Sequence, residues 1–396
     1  MINIQTVGED IVWVGANDRH ISRFENFIPL TAGVSYNSYL LKDEKTILFD
    51  TADARVSGQF LENLNAALEG RKLDGLVILH MEPDHCALIS EVASAHPGIR
   101  LYGSGAALTY LNQFFPGLAS FPREVIKEGS ILETGRHHIR FTAAPMVHWP
   151  EVMMAYDDVN KALFSADAFG TFGAVEGSIF ADEHDFENEF HDEARRYYAN
   201  IVGKYGPQVQ AVLKKAGALD IERIYPLHGP VWRKDLNVIL DLYQKWSTYT
   251  PETDDIAVIY GTLYGHTADA AVRAADLLKQ ETGKNVIACD ASETDVTHLI
   301  DAVWKCGKIV IFCPTYNAGI YPPVENFLND MTALNVQKRV FALAENGTWA
   351  PAAAKPMRAK LEQLKNCTIL DKVLTFKSVL HDDDALAQFV KAVAEA

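Results

Sequence analysis

The sequence predicts an α/β protein of two successive domains: an αββα sandwich over residues 1–250, then a doubly wound, five-stranded parallel sheet over residues 254–396. Three observations predict this. Residues 1–250 carry short apolar runs that pair as hairpins with helical patterns outside them, which implies two sheets packed face to face under helices. From residue 256 strand and helix patterns alternate cleanly, as in a parallel sheet with helical crossovers. Between the two, Thr250-Pro-Glu-Thr-Asp-Asp255 is polar and proline-containing, as a short linker is.

In the first domain Ile11-Val-Trp-Val-Gly15 reads as a short strand. Ser35 to Leu41 alternates as one strand and, across the turn-like Lys42-Asp-Glu-Lys45, forms a hairpin with Thr46-Ile-Leu-Phe-Asp50. A helical pattern from Gly58 to Leu68 leads into Gly75-Leu-Val-Ile-Leu79, which has the composition of a buried strand. That strand ends in His80-Met-Glu82-Pro-Asp84-His85-Cys86. Pro83 is expected to prevent a helix from running through these residues, leaving them in a turn beyond the strand's C-terminal end. Leu88 to Ala95 and Gly105 to Gln113 continue as short elements, and Ser130 to Phe141 is a hairpin turning at Gly135.

Two imidazoles and two carboxylates crowded into six positions are costly to bury without a cation among them. Further ligand types stand at the ends of later strand-like runs. His148 follows Arg140 to Val147, Asp167 follows Ala162 to Ala166, and His228 follows Arg223 to Leu227. Strand ends on one rim of a sandwich converge, so seven side chains are candidates for one centre: His80, Glu82, Asp84, His85, His148, Asp167 and His228. Four histidines and three carboxylates suffice for two metals with one carboxylate bridging. The acidic stretch Asp182 to Glu193 reads instead as a solvated loop opening a helix. His137 and His138, beside a hairpin turn, read as surface residues.

The second domain's strands are read at Ile256–Tyr260, Asn285–Cys289, Lys308–Phe312, Arg339–Leu343 and Lys372–Phe376, with helices such as Ala268–Lys279 and Asp384–Ala394 between them. Strand one runs into Gly261-Thr262-Leu263-Tyr264-Gly265-His266-Thr267 and then a helix. Small and hydroxyl residues there make a nest of N–H groups for one phosphate. Neither the dinucleotide glycine pattern nor a phosphate-binding lysine loop is present. Pro314-Thr315-Tyr316-Asn317-Ala318-Gly319 follows strand three, and Glu345-Asn346-Gly347-Thr348-Trp349 follows strand four. Polar, aromatic-bearing loops after strands one, three and four match the flavodoxin arrangement, in which FMN sits at the topological switch point.

Composition sets bounds. Hydrophobic residues make up 48% and charged residues 22%, as in an ordinary globular protein. No secretory signal and no apolar stretch of about 20 residues is visible, so neither export nor membrane insertion is expected. Five scattered cysteines without a Cys-x-x-Cys pair suit a reducing cytoplasm. A net charge of −16 speaks against nucleic acid and anionic membranes as partners.

The His-x-Glu-x-Asp-His pattern, with His, Asp and His at later strand ends, resembles the metallo-β-lactamase superfamily. Hydrolases of that superfamily usually carry His at the position of Glu82 and bind zinc, whereas an added carboxylate makes a harder site that favours iron. Read whole, the chain resembles the flavodiiron proteins, or A-type flavoproteins. The resemblance rests on His80-Met-Glu-Pro-Asp-His85, Ala144-Pro-Met-Val-His148-Trp-Pro, Asp167-Ala-Phe-Gly170, Arg196-Tyr-Tyr-Ala-Asn-Ile201 and His228-Gly-Pro-Val-Trp-Arg233. It implies a metallo-β-lactamase-like domain followed by a flavodoxin-like FMN domain, and reduction of O2 to water, of NO to N2O, or of both. It implies that His80, Glu82 and His148 hold one iron, that Asp84, His85 and His228 hold the other, and that Asp167 bridges.

The resemblance further implies an electron donor such as a rubredoxin, and a head-to-tail homodimer or a dimer of dimers. Tyr197 and Tyr198 are candidates to line the iron pocket as hydrogen-bond donors, ordinary core tyrosines being the other reading. The chain departs from the family pattern in three ways. It ends at Ala396 without rubredoxin-like cysteine pairs, so a separate electron carrier is expected. Glu345-Asn-Gly-Thr-Trp349 is less glycine-rich than the usual Ser/Phe-Gly-x-Trp-Gly-Gly loop. Phe24-Glu-Asn-Phe27 lacks the histidine that some members place near the irons. Two other readings stand beside this one: a dizinc hydrolase of the lactamase fold with an accessory flavin domain, and a non-catalytic flavin carrier or diiron gas sensor.

Overall fold

A computed structural model describes residues 2–396. They form two compact units, the first running to Tyr197 and including Pro207–Tyr243, the second comprising Tyr198–Gly206 and Gln244–Ala396.

The first unit holds two sheets. In the seven-stranded sheet the order is Gln5–Gly8, Ile11–Trp13, Tyr39–Lys42, Thr46–Phe49, Gly75–Ile78, Arg100–Gly103 and Arg123–Val125. The first four strands pair antiparallel and the rest parallel. The five-stranded sheet runs Ile131–Glu133, His138–Ala143, Met153–Asp157, Ala162–Phe164 and Arg223–Tyr225, antiparallel up to its last, parallel pairing. Aromatic side chains lock the sheets face to face: Phe49 stacks on Phe164 at 4.1 Å, and Tyr39 on Tyr225 at 5.1 Å. Each such pair adds about 0.5–1.5 kcal/mol beyond the apolar area it buries.

Two expectations change here. The single strand Ser35 to Leu41 is two: Val34–Tyr36 pairs with Ala16–Asp18, and Tyr39–Lys42 joins the large sheet. The break falls at Asn37 and Ser38, whose side chains serve other segments. The Asn37 amide donates to the carbonyls of Pro226 and Gly229, and the Ser38 hydroxyl to those of Phe49 and Asp50. Pro83, in turn, opens a helical turn. Pro83–Cys86 is a short helix with Glu82 at its N-cap, because a proline at the first position forfeits only an N–H that would be unpaired anyway.

His137 is not a surface residue. It is fully buried, with Nδ1 3.0 Å from an oxygen of Asp157. Burial pushes the His137 imidazolium down, but the hydrogen bond and charge of Asp157 outweigh it and its pKa rises from 6.5. Burial likewise opposes ionisation of Asp157, and hydrogen bonds from His137 and Asn160 win, lowering it from 3.8. The histidine's contribution to stability is complete below 6.5 and is lost as pH rises through the raised folded value. The aspartate's is complete above 3.8 and is lost as pH falls through the depressed one. His137→Phe is therefore expected to cost about 1–3 kcal/mol below pH 6.5 and less as pH rises through the raised histidine value, measured by denaturant unfolding across pH. A penalty that does not vary with pH would make the pair a matter of shape alone.

The second unit is a five-stranded parallel sheet in the order Val286–Asp290, Thr253–Tyr260, Cys306–Pro314, Val340–Asn346, Thr368–Phe376. In chain order this is 2-1-3-4-5, one of the two common doubly wound orders. Thr253 already pairs with Cys306, so the strand begins inside the stretch read as linker. Helix His266–Thr282 buries a stripe of Ala270, Ala271, Ala274, Ala275 and Leu278. Helix Asp383–Glu395 packs Leu386, Phe389, Val390 and Val393 into the same core. No helix among the described residues is long and apolar enough to cross a membrane.

Candidate metal centre and flavin cleft

In the first unit the seven candidate ligands meet. Each stands just past a strand of one of the two sheets. The stretch from His80 to His85 follows Gly75–Ile78, His148 follows His138–Ala143, Asp167 follows Ala162–Phe164, and His228 follows Arg223–Tyr225. Main-chain bonds fix these loops to one another: Met153 N–H to the Leu79 carbonyl (3.0 Å), Thr51 N–H to that of His85 (2.8 Å) and Leu227 N–H to that of Ala166 (2.9 Å).

The donors fall into two groups, His80, Glu82, His148 and Asp167 in one, and Asp84, His85 and His228 in the other, all buried. Within each group the donor atoms lie within 4.8 Å of one another. Asp167 faces both. Its Oδ2 is 3.1 Å from His148 Nε2 and 3.5 Å from His80 Nε2, while its Oδ1 is 3.1 Å from His85 Nε2 and 3.9 Å from His228 Nε2. Two metals bridged by one carboxylate fit this arrangement. So do the orphaned atoms: both Asp84 oxygens and Asp167 Oδ1 are buried without a hydrogen-bond partner. His85 and His228 also bring their Nε2 atoms within 3.1 Å, where either one shared proton or a cation satisfies both lone pairs.

The electrostatics agree. Burial pushes His148 down, but hydrogen bonds to Asp167 and Glu82 lift it to about 9. Burial opposes the charge on Asp167, yet His80 and His85 hold it well below the usual carboxylate range. The shared Asp167 is thus held anionic, and His148 beside it accepts positive charge. Of the two tyrosines, Tyr197 lies with its ring 5.5 Å from that of His228, and burial, then Asp167, drives its hydroxyl well above 10. Tyr198 is not brought to the centre; it packs in the second unit against Trp246 at 5.3 Å.

In the second unit Thr262, Leu263, Tyr264, His266, Thr267, Pro314, Thr315, Asn346, Gly347, Thr348 and Trp349 line one cleft, together with Ser378. Gly265 precedes the 17-residue helix with φ +96° and open space where a Cβ would stand, and its N–H donates to Thr262 Oγ1 (3.0 Å). The positive end of the helix thus faces an unobstructed cradle. Asn346 donates to Thr267 Oγ1 (3.2 Å) and to the Ser378 carbonyl (2.9 Å), leaving its buried Oδ1 without a partner. Tyr264 and Trp349 are 91% and 74% exposed, free faces for a flat ring. A flavin mononucleotide fits these features. Tyr316, Asn317, Ala318 and Gly319 do not line the cleft. They form a tight turn closed by Tyr316 and Gly319, with Asn317 and Ala318 at φ +49° and +59°.

Residues 34–229 match the ODP family beta lactamase, and residues 258–389 match Flavodoxin. The anaerobic nitric oxide reductase flavorubredoxin of Salmonella arizonae is 30% identical over 369 residues, covering 90% of this chain and 74% of that protein. Its counterpart in Aliivibrio salmonicida is 32% identical over 365 residues, covering 90% and 71%. The solved flavodiiron protein of Giardia intestinalis superposes with a TM-score of 0.93 at 24% identity, over 100% of this chain and 96% of that one. Rubredoxin oxygen:oxidoreductase of Desulfovibrio gigas gives 0.92 at 25%, over 99% and 98%. The chain belongs to the flavodiiron protein family.

This flavodiiron chain also carries site residues that sequence reasoning missed. Glu151 Oε1 accepts from His80 Nδ1 (2.8 Å), and Asp50 Oδ1 accepts from the N–H groups of Leu79 (2.8 Å) and His80 (3.2 Å). Asp50 ends a strand as Asp167 does, so the same signal was available for it. Glu25 lies on the N-terminal loop noted only for lacking a histidine. Glu25 is exposed as a whole, but partial screening of its carboxyl from water, then the hydrogen bond and charge of Glu82, raise it above 4.5. Glu25 and Glu82 line a pocket of about 450 Å³ with Tyr36, Arg55 and Asp84.

Proposed function

We propose that this protein reduces O2 to water, NO to N2O, or both, at a diiron centre re-reduced through FMN. The observation that carries the reading is the division of Asp167 between the two ligand groups. His80, Glu82 and His148 would hold one iron, Asp84, His85 and His228 the other, with Asp167 shared between them. When bound, the irons supply redox-active Lewis acids for a small gas, and FMN supplies a two-electron store that is released singly. The chain's residues place the acidic groups around them. Glu25, whose carboxyl partial screening from water and then the neighbouring Glu82 raise, lines the pocket beside Glu82 and is the proposed acid there, where O2 reduction requires four protons per molecule. Tyr197 walls the His228 side with an aromatic face. In the flavin domain the Thr262 and Thr267 hydroxyls at the start of the helix would take the phosphate, and Tyr264 and Trp349 would flank the ring.

The relatives' names support the chemistry: one set is called nitric oxide reductase, another rubredoxin oxygen:oxidoreductase. A rubredoxin-type carrier is the proposed donor. The proposed assembly is a head-to-tail homodimer in which one subunit's flavin faces its partner's irons. The proposed compartment is the cytoplasm, in keeping with five free cysteines.

The test is to load the protein with iron and FMN, reduce it anaerobically, and supply O2 and NO separately under a continuing electron source. The expected result is sustained consumption of at least one gas by a species that sediments as a dimer. Consumption that stops once the stored electrons are spent would mean a carrier or sensor. Two tightly bound zincs with no gas consumption would mean a hydrolase.

A further inference from the structure

We propose that Glu151 makes the two halves of the centre unequal: by backing His80 with a carboxylate, it positions that imidazole and lowers the reduction potential of the His80–Glu82–His148 half below that of the Asp84–His85–His228 half. The proposal rests on the diiron reading above and adds a direction to it.

The placement of Glu151 is over-determined. It lies in the turn after His148, immediately before the strand Met153–Asp157, and its side chain is fully buried. Its carbonyl accepts from the hydroxyl of Ser104, the N-cap of helix Gly105–Phe114 (2.9 Å). The next residue, Val152, returns its carbonyl to Ala144 N–H (2.9 Å). From this anchored backbone Oε1 accepts from both His80 Nδ1 (2.8 Å) and the Met81 N–H (3.0 Å). With Nδ1 donating, the lone pair of His80 lies on Nε2, which points at Glu82 Oε2 (3.2 Å) and Asp167 Oδ2 (3.5 Å). The ring of Trp149 stands perpendicular to His80 at 5.3 Å and leaves the imidazole little room to turn.

The other half has no such support. His228 Nδ1 donates to the neutral carbonyl of Ser35 (2.8 Å), and His85 Nδ1 is buried with no partner. Asp50, the remaining buried carboxylate nearby, accepts from the main-chain N–H groups of Leu79 and His80 and from no imidazole. It therefore backs no imidazole of either half. Asp167 is shared, and each half has one further carboxylate, Glu82 or Asp84. Glu151 is the added negative charge, and it reaches one half through an imidazole. A carboxylate-backed imidazole is the more basic ligand and favours the ferric over the ferrous state. Of two successive one-electron reductions, the first is thus taken by the Asp84–His85–His228 half and the second by the half that Glu151 backs.

The test is an anaerobic redox titration of iron- and FMN-loaded protein, followed by electron paramagnetic resonance for the irons and absorbance for the flavin. Glu151→Gln keeps the shape and removes the charge. It is expected to raise the lower iron potential and narrow the separation of the two steps, with flavin potentials unchanged. An unchanged separation in a variant holding two irons overturns the proposal. Glu151→Asp keeps the charge and is expected to retain a separation near that of the wild type; narrowing equal to that of Glu151→Gln would assign the effect to packing and overturn it too. Wild-type protein that binds fewer than two irons would refute the diiron reading itself, a different result from either.

Discussion

Asp167→Asn is expected to reduce iron loading from two per chain to one or fewer and to slow gas consumption by about 100-fold or more. Asp167 is 1% exposed, and each of its oxygens serves a different group of imidazoles. Asparagine has the same outline, but one of its two terminal atoms becomes an NH2 donor with no lone pair for a cation. Whichever way the amide turns, one half of the centre loses its shared ligand and faces a donor hydrogen. The buried imidazoles also lose the anion that offsets their positive charge, since the Asp167 carboxylate raises both His80 and His148. Flavin content and the rate at which a chemical reductant bleaches the flavin should not change, because the cleft belongs to the other unit. Iron analysis, gas electrodes and flavin absorbance read the three quantities on one preparation. Two irons with a rate within a few-fold of wild type would remove Asp167 from the bridging position.

How much of this was legible in the sequence depended on how local each signal was. The ligand positions were legible because each follows a strand-like run, and strand ends on one side of a sandwich converge. The division into two groups was not, since it depends on how loops separated by up to 148 positions, His80 to His228, meet in space. His137 was misread although the period of its own strand held the answer. Ile139 and Phe141 are buried while His138 and Arg140 are exposed, which puts residue 137 on the inner face. Glu151 gives no sequence signal of its own, because a glutamate in a turn is ordinarily solvated and only His80 gives it a role. Ser378 was passed over because it follows the fifth strand, whose loop carries no aromatic residue. In the flavodoxin-like unit the parallel sheet was legible from uninterrupted strand–helix alternation, whereas its order 2-1-3-4-5 depends on which strands pair in space.

Gly229→Ala should be the most disruptive single-methyl change near the centre. Gly229 follows His228 directly and adopts φ +77°, a left-handed conformation that costs an L-residue about 1–2 kcal/mol. Steric crowding adds to this, because an added Cβ would sit 2.2 Å from Thr171 Cγ2 and 3.3 Å from the Thr171 backbone nitrogen. The loop has little freedom to yield. Gly229 N–H donates to Ser35 Oγ (2.6 Å), its carbonyl accepts from the Asn37 amide (2.8 Å), and Asn37 is held in turn by the Trp13 indole (2.9 Å). Relieving the clash means breaking one of these buried bonds or displacing His228, whose Nδ1 is fixed on the carbonyl of the same Ser35. The expected loss is about 3–5 kcal/mol in denaturant unfolding, with iron loading falling at the Asp84–His85–His228 half. The two contributions can be separated. Thr171→Ser deletes the clashing methyl and keeps the hydroxyl that donates to the Phe172 carbonyl (2.9 Å). In the Thr171→Ser background Gly229→Ala should therefore cost only the left-handed strain of about 1–2 kcal/mol, with iron loading restored. If Gly229→Ala alone unfolds within about 1 kcal/mol of wild type, the loop that presents His228 is softer than its hydrogen bonds imply. The second half of the centre would then be held by its metal more than by the fold.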